Sequence, residues 1–169
     1  MGVSEWIQTQ LRTHQDTDET KSKKGVHRDF MVRRIVAESC LDKISNGFQE
    51  MKLQIQSKDI LIVAVALARR SGGLNGNIPT CISEDYKPQD RRGIIRFAEL
   101  GEQNLAYLFA EAIVEIGAKN ITNFSEVISL WEKWADEGLQ ILYCDLFSKH
   151  FNSSPMQFFE LLLKLQPNK

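Results

Sequence analysis

The sequence predicts an all-α protein: a single-domain bundle of five or six helices with a long semi-ordered loop. Three observations carry that expectation. Large apolar residues recur at steps of three and four along most of the chain, the spacing that gathers side chains on one face of a helix. Helix start and stop signals bracket these stretches, as in Ser154-Pro155 with Gln157, or Gly117 at the end of an apolar run. A strand reading is open only for Ile60–Ala68, and no other segment looks like its partner. With 169 residues, 43% of them hydrophobic and 25% charged, the composition is that of an ordinary globular chain.

The first element is short. Val3, Trp6, Ile7 and Leu11 fall on one helical face, so residues 1–13 are expected to form an amphipathic N-terminal helix. Residues 14–25 hold no large apolar side chain. Nothing there offsets the entropy of ordering the backbone, which predicts a polar linker. The helical bundle domain is then expected over 26–169.

Within it, Val26 to about Lys52 reads as one long helix, with Phe30, Ala37, Leu41, Ile44, Phe48 and Met51 on its stripe. Ile60–Ala68 is apolar all round. Its alanines, Ser57 as a start signal and Gly72 or Gly73 as a stop favour a buried helix. Residues 71–93 are rich in glycine and proline and are expected to be a long, partly ordered loop. Ile94–Gly117 reads as a strong helix with Phe97, Ala98, Leu105, Leu108, Phe109 and Ala112 inward. Another starts near Asn123, where Glu126 completes a capping box, and Gly138 is expected to bend or break it. The last helix, from Ser154-Pro155, is apolar around most of its circumference.

Charge and motifs narrow the chemistry. The net charge of −1 does not mark a general nucleic-acid binder. No P-loop, dinucleotide fingerprint, Gly-x-Ser-x-Gly, His-Glu-x-x-His, Cys-x-x-Cys or Glu-x-x-His occurs. The expectation is therefore a protein that is not an enzyme and that holds no cofactor and no metal. Cys40, Cys81 and Cys144 are odd in number and far apart, which suggests a reducing compartment and no disulfide framework. No signal peptide is visible, and Ile60–Ala68 is only about half as long as a membrane span. An intracellular, cytoplasmic protein with no membrane contact is the expectation.

Two sets of residues remain as candidate binding groups. Trp6, Trp131, Trp134, Phe158 and Phe159 are large apolar side chains of the kind that anchor interfaces. A terminal helix with Met156, Phe158, Phe159 and Leu161–Leu163 on more than one face must be deeply buried or shared with a partner. The leading expectation is thus a non-catalytic interaction or assembly protein, in a homo-oligomer or a larger complex. The second set is basic: the doublets Arg33-Arg34, Arg69-Arg70 and Arg91-Arg92, flanked by Arg28 and Arg96. Guanidinium forks suit phosphate oxygens, so convergent doublets would grip RNA or single-stranded DNA. Ion pairs with Glu84, Asp85, Asp90 or Glu99 would instead make them structural.

Overall fold

The computed structural model describes residues 29–70, 90–121 and 124–164, the side chain of Phe124 excepted. Five helices and a two-stranded sheet make up the described part. Strand β1 is Asp29–Arg33 and strand β2 is Arg91–Arg96. Helix α1 begins at Arg34–Val36, widens into a π-helical stretch over Ala37–Leu41 and continues as Asp42–Glu50. Helix α2 is Ser57–Arg70 and α3 is Glu102–Ile116. Helix α4 runs over Phe124–Ile141 and on through π-helical Leu142–Phe151. Helix α5 is Pro155–Lys164. None of the described helices is long and apolar enough to cross a membrane.

The mostly helical architecture matches the expectation, and Ile60–Ala68 is helix. The sheet was not expected. Phe30 belongs to a strand and not to the stripe of α1. In Asp29–Arg33 the buried residues are Phe30 and Val32, a period of two. The segment expected to open the third helix is β2 and a 3-10 turn, Phe97–Glu99, so α3 starts at Glu102 and Ala98 is exposed. Arg34 follows β1 and its N–H donates to the carbonyl of Asp90, which precedes β2 (2.8 Å), so the strands run antiparallel.

Several local signals act as read. Gly117 ends α3 at φ +85°, a conformation that side chains disfavour. Ser154 caps α5, its hydroxyl accepting from the Gln157 N–H at 3.3 Å. At α2 the cap is shifted by one residue: Gln56 precedes the helix and its N–H is bound by Asp59 Oδ2 at 3.1 Å, while Ser57 is already helical. Gly138 does not break α4. Its missing Cβ admits the backbone of α2, as a Cβ there would lie 2.8 Å from Ala64 Cα and closer still to the Ala64 carbonyl. The linker 14–25, Gly72, Gly73 and the Asn123 cap lie outside the described residues.

The chain divides into two compact units. In one, formed by the described residues of 29–31 and 93–133, Trp131 is fully buried and donates its indole N–H to the Leu108 carbonyl at 2.8 Å. Phe97 lies against both Trp131 and Phe30, with ring centroids 6.1 and 5.2 Å away. In the other, formed by those of 32–92 and 134–164, the core is a phenylalanine cluster. Phe147 and Phe151 stack at 4.4 Å, and Phe158 meets both edge-on at 5.6 and 5.5 Å. Aromatic pairs in these geometries add about 0.5–1.5 kcal/mol each beyond their buried area. Phe158, fully buried among them, is what fastens α5.

Candidate interaction surface

Helix α5 has two faces because its apolar residues exceed what one stripe can bury. Phe158 points into the cluster, and Phe159 is half-buried, stacked on Phe48 of α1 at 6.1 Å and 18°. Leu161 and Leu162 are half-buried as well. Met156 and Leu163, seven residues apart and so on one face, are 69% and 63% exposed. Glu160 and Lys164 share that outer side and are exposed. Met51, the residue after α1 and three beyond Phe48, is 49% exposed. The other exposed large apolar residues among those described, Val63 and Val114, stand singly on α2 and α3.

The tryptophans expected as anchors are not on this surface. Trp131 is 0% and Trp134 6% exposed. Trp131 spends its N–H on a backbone carbonyl, and Trp134 is covered by the Arg69 guanidinium, 4.5 Å from its ring centroid. Both are core side chains of their units. Trp6 and Arg28 lie outside the described residues.

Three of the arginines expected to face phosphates are ion-paired. Arg33 lies at the end of β1, not on a helix, and its guanidinium forks onto Asp136, with Nε 3.0 Å from both carboxylate oxygens. Arg34 pairs with Asp90 at 3.0 Å and, more loosely, with Glu38 at 3.8 Å. Arg92 lies in β2, not at a helix start, and its Nη1 donates to Asp42 at 2.7 Å. That hydrogen bond holds the Arg92 guanidinium even more firmly protonated than usual. Arg69 and Arg70 end α2 as expected, where their charge complements the helix dipole. Arg70, Arg91 and Arg96 are exposed. Of the acids foreseen as partners for the doublets, Asp90 takes that part with Arg34, whereas Asp136 and Asp42 were not anticipated.

Sequence reasoning also missed a buried polar row on α4. Glu132, Asp136 and Gln140 follow at four-residue steps and are 2%, 8% and 2% exposed. Glu132 accepts the Met31 N–H at 2.9 Å, and Asp136 accepts the Arg33 N–H at 3.1 Å. Gln140 donates to Asp136 at 3.0 Å, while its own Oε1 has no partner. The helix also carries an outer polar row, Glu126, Ser129 and Lys133, which is exposed, so residue type alone did not tell the buried polar row from the solvated one.

Cys40 is buried with a free thiol. Burial, and then the charge of Asp136, push its pKa up to about 12, which makes it inert at neutral pH. Cys144 is buried and disulfide-bonded, where no disulfide was expected; an odd count of cysteines still leaves room for one bridge. Cys81, His14 and His27 lie outside the described residues, and His150 is half-buried. Among the described residues no three His, Cys, Asp or Glu side chains cluster as a metal would require. No known family model matches the chain, and neither a curated protein nor a solved structure matches it.

Proposed function

We propose that this protein is a non-catalytic helical assembly protein that places the outer face of α5 against another protein chain, in a homo-oligomer or a larger complex. The observation that carries this reading is the pair Met156 and Leu163, both more than half exposed on one face of a helix whose opposite side is anchored by Phe158. Large apolar side chains left exposed on one helix face are a mark of interaction sites. The anchoring matters as much as the exposure: a face held rigidly loses little conformational freedom on binding.

The phosphate-gripping alternative finds less support. Arg33, Arg34 and Arg92 already hold carboxylates, and a nucleic acid would have to displace Asp136, Asp90 and Asp42. The assembly reading expects no salt-sensitive binding of a labelled single-stranded RNA in an anisotropy titration at low ionic strength.

The direct test is the size of the chain in an unfractionated extract of the cells that make it, followed by immunodetection across a sizing column. Elution well above the monomer supports the assembly reading. Elution at the monomer position refutes it.

A further inference from the structure

Beyond that reading, and on a different element from α5, we infer that β2 pairs with β2 of a second copy of this chain, antiparallel about a two-fold axis at Gly93. Backbone groups come first. Arg34 donates its N–H to the carbonyl of Asp90, so residues 90, 92 and 94 turn their amides and carbonyls to β1. Those of Gly93 and Ile95 turn away. The alternation holds along the strand, since a Cβ at Gly93 would lie 3.0 Å from that of Asp29, on the same face of the sheet. The sheet has two strands, so among the described residues no third strand takes the outward groups of β2. Gly93 is exposed, and having no side chain it exposes backbone. The far edge of β1 is taken: Met31 and Arg33 donate their amides to Glu132 and Asp136. A bare strand edge is a template for another strand.

The residues of β2 select which strand. A two-fold axis at Gly93 sets Asp90 of each copy against Arg96 of the other, Arg91 against Ile95 and Arg92 against Ile94. Opposite charges meet at both ends, and the arginine stems lie along isoleucine between them. Asp90 and Arg96 are both exposed, as this contact requires. The Asp29 carboxylate beside Gly93 comes next to Arg91 of the second copy. A slip of two residues, the smallest that keeps outward groups facing each other, sets Arg92 against Arg92 or against Arg96. A parallel, in-register pairing sets every arginine against its own kind. The chain is thus self-complementary in one register. The product is a four-stranded sheet whose outer edges are already held by Glu132 and Asp136, so association stops at two copies.

The test uses the purified full chain, light scattering over a dilution series and amide hydrogen exchange. Wild type is expected at twice the 19.4 kDa of the chain, dissociating on dilution, with the amides of Gly93 and Ile95 protected in the dimer alone. Ile95→Pro deletes one outward N–H, at an edge position where proline is tolerated, and is expected to abolish the dimer. Arg96→Glu and Asp90→Lys each oppose like charges at both ends and are expected to weaken it by about ten-fold. Mixing these two variants restores opposite charges at both ends and is expected to restore association. Both positions are exposed, so circular dichroism should show each variant folded.

A purified wild type that stays monomeric would overturn the inference, as would dimers that survive Ile95→Pro and both reversals. Dimers broken by Leu163→Glu and by none of the β2 variants would overturn it in favour of self-association through α5. A purified monomer beside a large species in the extract would remove this interface and leave the assembly reading standing.

Discussion

Replacing Gly138 by alanine is expected to destabilise the protein, although alanine is the better helix former. Gly138 lies within α4, and its Cα faces the backbone of α2 at Ala64. An added Cβ would sit 2.8 Å from Ala64 Cα, against a comfortable carbon–carbon separation of about 3.5–4.0 Å. It would be nearer still to the carbonyl of Ala64. Backbone cannot rotate away as a side-chain tip can, so the two helices must part by about 1 Å. Overpacking of this kind costs about 3 kcal/mol, the upper end of its usual range. Helix propensity returns about 1 kcal/mol. The net loss of about 2 kcal/mol should lower the melting temperature by about 4–8 °C for a chain of this length. Thermal melts followed by far-UV circular dichroism, at matched protein concentration, measure it. A Gly138→Ala protein as stable as wild type would refute the close crossing of α2 and α4.

Other consequences are as direct. Removing the guanidinium with Arg33→Met leaves the buried Asp136 carboxylate without its countercharge and should cost about 3 kcal/mol in a urea melt, whereas Arg92→Met, at a half-exposed pair, should cost about 1 kcal/mol or less. Equal losses would contradict the difference in burial. Phe158→Ala should cost about 3–5 kcal/mol, and an unchanged denaturant midpoint would mean that α5 is not anchored by that ring. Cys40 keeps its proton to about pH 12 in the folded protein but to only about 9.0 when unfolded, so the unfolded state loses the proton first as pH rises. The stability this contributes is full below pH 9.0 and drains away towards pH 12. In the native protein at neutral pH, Cys40 should resist alkylation that it accepts once unfolded, as read by peptide mass.

The helices of this chain were legible because their signals are local. Ser154 and Pro155 start α5, Gly117 stops α3, and Val127, Ile128, Trp131 and Leu139 trace a face of α4 within a few turns. The sheet was not legible for the opposite reason. β1 spans only Asp29–Arg33, too short for its alternation to stand out from the helical stripe that follows, and its partner lies some sixty residues later. Phe30 fits a period of 3.6 with Ala37 as well as it fits a period of two with Val32. The exposed face of α5 was half legible. The excess of apolar residues on α5 pointed to it, but which of them face out depends on the phenylalanine cluster that claims Phe158. That Trp131 and Trp134 are buried was not legible, because residue type says nothing of whether an indole N–H has found a carbonyl, as that of Trp131 has, or whether a guanidinium covers the ring, as Arg69 covers Trp134.

The carboxylates of α4 have a bearing on how this protein avoids going astray. In β1 the amides of Met31 and Arg33 point away from β2, since the Arg34 amide points towards it. An open row of that kind invites a strand from another molecule, the first step towards fibres. Here Glu132 and Asp136 occupy it, and an intruding strand would have to strip two carboxylates from their donors before gaining a single ladder bond. These side chains act as gatekeepers: they close off the open edge of β1. Glu132→Ala should therefore reveal itself first as a tendency to form thioflavin-positive aggregates.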